Sequence, residues 1–325
     1  MSRVVLRRLA SGLGTLFLVT VLVFLLIRLS AGDPLTVGPD EPGIRRLSAE
    51  TRAELARFYH LDQPLHRQYL LWLGNAVRGD LGISLRDRRP VSAKIGERVG
   101  ITLALNMVSL ALTVLLAVPL GAAAALRPGS RLDRLAAAGT YALYAIPVFW
   151  AALLLQILFA VHLDWLPLAG LHSDGSRALG PLARLADQAA HMVLPVICLT
   201  YGGLAYVSRF VRATLIDNAA GDELRAARAR GLSEWSALIR HGFRQASIPL
   251  LTLAGFLLPA LVGGSVIVET IFSIPGLGKL FVDAAFQRDL PVMLGLTLLS
   301  GAATLLGIVF ADVAYAVADP RVRRE

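Results

Sequence analysis

Apolar and polar positions alternate along this chain in long blocks rather than residue by residue. Six runs lack charge over a length that can cross a bilayer, which takes about 20 helical residues. They are Leu9–Ile27, Gly100–Leu126, Leu135–Val161, Gln188–Ser208, Gln245–Val268 and Leu290–Ala311. The pattern predicts an all-α integral membrane protein with six transmembrane helices. Pro195 lies in the fourth run, and Pro249 and Pro259 lie in the fifth. Kinks there are tolerable where neighbouring helices satisfy the freed carbonyls.

The polar blocks divide the chain further. Residues 1–30 form an N-terminal segment with the first span, and 31–98 a long polar segment. Residues 99–318 form a five-span core containing the polar loop 214–247, and 319–325 a tail. Leu9 to Ile27 is longer than a usual signal core, and no clear Ala-x-Ala site follows it. It reads as an uncleaved span. In the 31–98 segment, Leu47–Tyr59 and Gln68–Val77 have helical spacing, and Gly79-Asp-Leu-Gly82 ends the second. Val91–Val99 leads helically into the second span. A small helical cap on the outer face is expected.

Arginine placement orients the spans. With the N-terminus inside, the segments 2–8, 127–134, 209–244 and 319–325 hold 3, 3, 7 and 3 Lys/Arg. The short outer loops 163–187 and 269–289 hold two each. This bias places both termini in the cytoplasm. Segment 31–98 carries 11 Lys/Arg, but segments this long translocate largely regardless of charge.

Composition agrees: 55% of the 325 residues are hydrophobic and the mean hydropathy is +0.62. The net charge of +9 comes from arginines flanking spans, where they meet head groups. No basic patch is interleaved with aromatics in a soluble domain, so nucleic acid is not an expected partner; the lipid bilayer is. The single cysteine, Cys198, excludes an internal disulfide or a Cys-based metal site.

Catalytic chemistry is not visible. His162, His172, His191 and His241 have no metal-type spacing with carboxylates, and no phosphate-binding Gly-Lys-Ser/Thr loop, Gly-x-Ser-x-Gly or His-Glu-x-x-His occurs. No catalytic, cofactor or metal residues are assigned. Glu269 and Asp312 lie near span ends, where each acid is either a functional group or a satisfied bonding partner. Asn106 reads as glue between helices or as a lining residue. Around Pro275, Gly276 and Gly278 the chain cannot continue a helix comfortably. Either a re-entrant loop beside a pathway or an exposed turn fits. Asn106, Glu269, Pro275 and Gly276 are the pathway candidates.

The polar stretch Asp222–Ser247 reads as a helical hairpin. Asp222 and Glu223 favour a helix start. Ala226, Ala227 and Ala229 keep the helix narrow. Gly231 suits a left-handed C-terminal position, Ser233 can cap the next helix, and Trp235, Leu238 and Ile239 are its packing residues. The stretch is either a docking surface for a soluble partner or a solvated linker.

Ala226-Ala227-x-x-x-Gly231 resembles the core of the EAA loop of binding-protein-dependent ABC transporter permeases. Arg225 stands where the motif has Glu, and His241, Phe243 and Arg244 where it has Ile, Leu and Pro. The run Ala227–Ser233 followed by Arg240-His241 is similar to the dipeptide/oligopeptide/nickel branch instead. Further resemblance to that branch lies in Arg7-Arg8-Leu9, His60–Leu65, Gln68–Gly74, Arg78–Ser84, Glu269–Gly278, Arg288–Val292 and Ala318–Arg321. The large outer segment resembles that of the first permease of dipeptide and oligopeptide systems. The resemblance implies a type I importer permease fold and no catalysis by this chain. It also implies a second related permease, two cytoplasmic ABC ATPases using ATP and Mg, and an extracytoplasmic substrate-binding protein. Asp222, Glu223, Arg225, Ala226, Ala227, Arg230, Gly231 and Leu232 would form the ATPase-coupling loop. The cargo would be peptides, a nickel complex or glutathione, and the location a bacterial inner membrane. A stand-alone ion-coupled transporter or channel is the alternative.

Overall fold

The computed structural model describes residues 2–29, 62–219, 229–237 and 265–318, with positions 50, 53, 54, 57, 226, 227 and 261. The expected helix at 47–59 is described only at positions 50, 53, 54 and 57, each helical; most of the fifth run and the 319–325 tail lie outside the described residues. So do Asp222, Glu223, Arg225, Leu238, Ile239 and the side chain of Asp312.

The chain is helical throughout these regions, apart from turns and a single bridge between Ile83 and Pro90. The helices are α1 Ser2–Leu29, α2 Leu65–Val77, α3 Val91–Leu126, α4 Arg131–Ala145, α5 Val148–Leu155, α6 Pro181–Ala219, α7 Glu234–Ala237, α8 Val266–Ile271, α9 Leu277–Gln287 and α10 Leu290–Ala318. Among the described residues, α3, α6 and α10 are long and apolar enough to span a membrane alone. A shorter apolar stretch, Ala10–Leu26, lies in α1.

The third apolar run is not one straight helix. Ile146 leaves helical geometry at ψ 117, and α4 and the segment continuing from α5 meet at 91°. The cause is Pro147, whose ring excludes the preceding residue from the helical basin. The bend frees the carbonyl of Ile146, and the hydroxyl of Tyr201 on α6 donates to it at 2.9 Å. Beyond α5 the chain widens into a π-helical turn, Gln156–His162. By contrast, Pro119 and Pro195 are carried inside continuous helices.

Helices α3 and α6 form the central seam. Lipid is as apolar as leucine, so apolar burial does not drive two spans together; close packing and interhelical hydrogen bonds do. The seam is accordingly built on small residues: Ala117, Ala122 and Ala125 meet Val207, Val211 and Leu215. At Gly121 a methyl would come within 2.4 Å of the Ser208 carbonyl. A second cluster joins Leu105 of α3 and Leu194 and Cys198 of α6 to Val268, Phe272 and Ile274.

Connections define two ends of the bundle. One end holds residues 62–90, the 163–180 connection and the 272–289 region. There Tyr69 of α2 is buried with Phe24, Leu290 and Leu294. Its hydroxyl pairs with that of Thr20 at 2.9 Å, and its ring stands edge-on to Phe24 at 5.5 Å. The opposite end holds the 127–130 turn and the 226–237 segment. There Asp133 of α4 bonds the guanidinium of Arg212 on α6 at 2.5 and 2.7 Å.

Candidate functional site

Two places carry the residues singled out above, one at each end. The first is the segment 226–237. The Leu232 N–H donates to the Ala227 carbonyl at 3.3 Å, and Gly231 sits at φ +84. This is a left-handed helix terminus, where a side chain would be strained and glycine is not. The Ala226 carbonyl accepts twice from Arg230, from its backbone N–H and from its Nε, each at 3.2 Å. Ser233 then starts α7: its Oγ accepts from the Ser236 N–H at 3.3 Å.

Only part of this turn faces the protein. Ala227 and Ala237 are fully buried, whereas Ala226, Ala229, Arg230 and Gly231 are exposed and Leu232 is half-buried. Trp235, expected as a packing residue, is 48% exposed, because the short α7 turns Ala237 inward and the indole outward. The outward surface thus combines the small Ala226, Ala229 and Gly231 with Arg230, and has one aromatic beside it.

The second place is the run from Glu269 to Lys279. This is not a simple exposed turn: Glu269, Phe272, Ile274 and Leu277 are all buried, while Ser273 and Pro275 are exposed. The Glu269 carboxylate accepts from Thr102 Oγ1 of α3 at 3.1 Å and from the Lys279 N–H at 3.0 Å. Thr102 in turn accepts from the Leu277 N–H at 2.8 Å. A methyl on Gly276 would lie 2.4 Å from the Glu269 carboxylate, and one on Gly278 2.8 Å from the Val266 backbone. Both glycines are required for close approach. Pro275 and Gly276 therefore shape a turn folded over a buried acid.

Neighbouring elements grip the same run. Gln156, in the π-helical turn, donates to the Leu168 carbonyl at 2.7 Å and the Ile271 carbonyl at 3.4 Å. The Gly170 N–H donates to the Phe272 carbonyl at 2.8 Å. Irregular backbone at this depth is stable only when its polar groups are satisfied by protein. Asn106 does the same work nearby, donating to the Leu261 carbonyl at 3.0 Å.

Sequence reading missed an adjoining ionic network. Asp289, 1% exposed, accepts from Ser84 Oγ and from the Leu85 N–H at 3.1 Å. Lys94 Nζ lies 2.8 Å from Asp87 and 3.9 Å from Asp289. Burial acts to raise the Asp87 carboxyl, but the hydrogen bond and charge of Lys94 and the hydrogen bond from the Arg89 N–H bring it down to about 2. Arg86 closes the junction by donating to the Gln287 carbonyl. The loop before α3 is thereby tied to the corner between α9 and α10. The Arg78–Ser84 and Arg288–Val292 segments, noted above for their resemblance, were the available signal; nothing in them says that they meet. Among the described residues, no group of three His, Cys, Asp or Glu side chains is placed to hold a metal.

Residues 117–324 match the family described as binding-protein-dependent transport system inner membrane component. The chain belongs to that family. The match spans the seam, the 226–237 turn and the buried Glu269 run together. The chain is also 37% identical to the oligopeptide transport system permease protein AppB of Bacillus subtilis, covering 99% of each. It is 33% identical to the dipeptide transport system permease protein DppB of Escherichia coli K12, covering 100% of each. Among solved structures, a chain of the MetNI methionine ABC transporter in inward-facing conformations matches with a TM-score of 0.52. That match is 18% identical and covers 70% of this chain and 97% of the other; it bears on fold alone. This is a multi-pass membrane permease of the inner membrane component family.

Proposed function

We propose that this permease is one half of the translocation pathway of an ATP-driven importer for peptides, with a second related permease as the other half. Two cytoplasmic ABC ATPases hydrolyse ATP with Mg, and an extracytoplasmic binding protein delivers cargo. In this reading six spans cross the membrane, with the broken α4–α5 pair as the third and residues 245–268 as the fifth. Both termini are cytoplasmic. The peptide cargo is suggested by the names of the full-length relatives.

The observation that carries the ATPase partnership is the 226–237 turn. An exposed helix end whose Ala226 and Ala229 carry small side chains can seat in a groove, and a left-handed Gly231 turns the chain out of it. The turn follows α6 by a few residues in the chain, so in this reading its displacement is passed to α6. Nucleotide-driven closure of the ATPases then supplies the energy for a two-state shift of the permease pair.

The test is co-purification of the ATPases with the permease. Removal of residues 222–232 is expected to abolish it, and Gly231→Asp to abolish uptake while membrane insertion persists. Co-purification that survives the deletion refutes the docking role. Solute movement by the purified chain alone in liposomes, driven by an ion gradient, would favour a self-sufficient transporter instead.

A further inference from the structure

At the 127–130 end of the bundle, α3, α4 and α6 enclose an open cleft of about 640 Å³. One face of α4 lines it, through Asp133, Arg134, Ala137, Thr140, Tyr141 and Tyr144, at the three-and-four spacing of a single helical stripe. Opposite stand Tyr206, Arg209, Phe210 and Arg212 of α6, over a floor formed by Gly121 and Ala124 of α3.

The cleft is polarised along its length. Three arginines, Arg134, Arg209 and Arg212, face one acid, Asp133. That acid is already engaged by Arg212 and by the Gly129 N–H at 2.8 Å. Arg209 stacks 4.1 Å above the Tyr141 ring and donates one bond to its hydroxyl at 2.9 Å. A guanidinium carries five donors in a planar fork, and a phenol oxygen takes one of them here. The fork is therefore oriented and positively charged, with donors left toward the cleft. From Arg134 to Tyr144 the helix runs about 15 Å, at ~1.5 Å per residue. Arg134 and the Arg212–Asp133 pair stand at one end, Arg209 lies midway against Tyr141, and beyond it Tyr144 and Tyr206 remain 65% and 54% exposed.

We propose that this cleft binds an anionic phospholipid of the inner leaflet. The phosphodiester lies against Arg134 and Arg209, and an acyl chain runs along the tyrosine-lined half. A small soluble anion would match only the charged end; an amphiphile matches both. Guanidinium forks suit phosphate oxygens. Basic pockets between spans on the cytoplasmic side and tyrosines at the interface are the membrane features such a ligand needs. The inference rests on the proposed orientation, which puts residues 127–134 inside.

The assembled importer is purified and reconstituted into nanodiscs of phosphatidylcholine alone or mixed with phosphatidylglycerol. Lipid that stays bound is then counted by native mass spectrometry. Wild type is expected to retain phosphatidylglycerol in preference. Arg209→Ala should cut that preference about fivefold and Arg134→Ala with Arg209→Ala about 30-fold, at roughly one surface cation's worth each. Arg209→Lys, which keeps the charge and loses the fork, should fall between wild type and Arg209→Ala. No preference in wild type overturns the proposal. So does an unchanged preference in the double variant, or a raised peptide KM with lipid binding intact, which would make the cleft a cargo site. Thiol labelling of Arg131→Cys in right-side-out vesicles checks the orientation separately: labelling by an impermeant reagent added outside refutes the sidedness, whatever the lipid result.

Discussion

Thr102→Val tests whether Glu269 and its loop are held by α3. The substitution keeps the shape and removes one oxygen. That oxygen donates to Glu269 at 3.1 Å and accepts from the Leu277 N–H at 2.8 Å, and both Thr102 and Glu269 are fully buried. Each buried polar group left without its partner costs about 1–3 kcal/mol. Two such groups predict a loss of ~2–6 kcal/mol. Thr102→Ser retains both bonds and removes one methyl, for about 1 kcal/mol. The thermal midpoint of the purified complex, followed by size-exclusion chromatography after heating, should rank wild type, Thr102→Ser and then Thr102→Val, with the larger gap last. Glu269→Gln provides the cross-check. Its amide has one accepting oxygen, and the carboxylate accepts on both, one from Thr102 and the other from the Lys279 N–H. Combined with Thr102→Val it should cost clearly less than the two single losses added, because both act on one network. A Thr102→Val midpoint equal to that of Thr102→Ser, or strict additivity in the double variant, refutes the bracing role.

The bend at Pro147 and the ionic junction give two more expectations. Tyr201→Phe removes the donor to the Ile146 carbonyl and should lower stability by about 1 kcal/mol in the same heating assay. No change would mean that the carbonyl is satisfied otherwise. Asp87 is held near 2, below the ordinary ~3.9 of an unfolded aspartate. Its contribution is therefore present above about pH 4 and is lost as pH falls towards 2. The side chain is 42% exposed and screened, so the effect should stay under ~1 kcal/mol. Asp87→Asn should flatten the acid dependence of stability between pH 4 and 2, leaving pH 6–8 unaltered in slope.

What was legible in the sequence was local. Gly231 at a helix end and Ser233 at the next helix start are chemical requirements of single turns, and the structure places both as those turns require. The break at Pro147 had a local signal too, in the Ile-Pro pair, yet hydropathy concealed it. An uncharged run reads alike whether straight or folded through 91°. Prolines 119 and 195 show why residue type alone misleads: the same residue sits in continuous helices elsewhere in the chain. Trp235 is exposed where packing is expected, because amphipathic spacing over a short turn cannot tell an inward face from an outward one. The role of Glu269 depends on Thr102, 167 positions away, and that of Asp289 on Ser84, 205 away. Such pairs follow from how helices pack, and no local pattern encodes them.

This division of local from distant bonds bears on how the permease moves. The end holding Glu269, Gln156 and Asp289 is cross-linked by buried polar bonds between α3, the π-helical turn, the 163–175 connection, α9 and the loop before α3. Opening that end within one subunit would strand several buried groups at about 1–3 kcal/mol each. At the opposite end, the bonds described for the 226–237 turn include two that close it locally, Leu232 N–H to the Ala227 carbonyl and Ser236 N–H to Ser233 Oγ. On the proposed importer reading, alternating access would be a body motion of the braced end relative to a second permease, with rearrangement concentrated where the chain is already bent. The Ile146–Pro147 joint fits: its freed carbonyl is met by a single tyrosine hydroxyl, which can be exchanged for water at small cost.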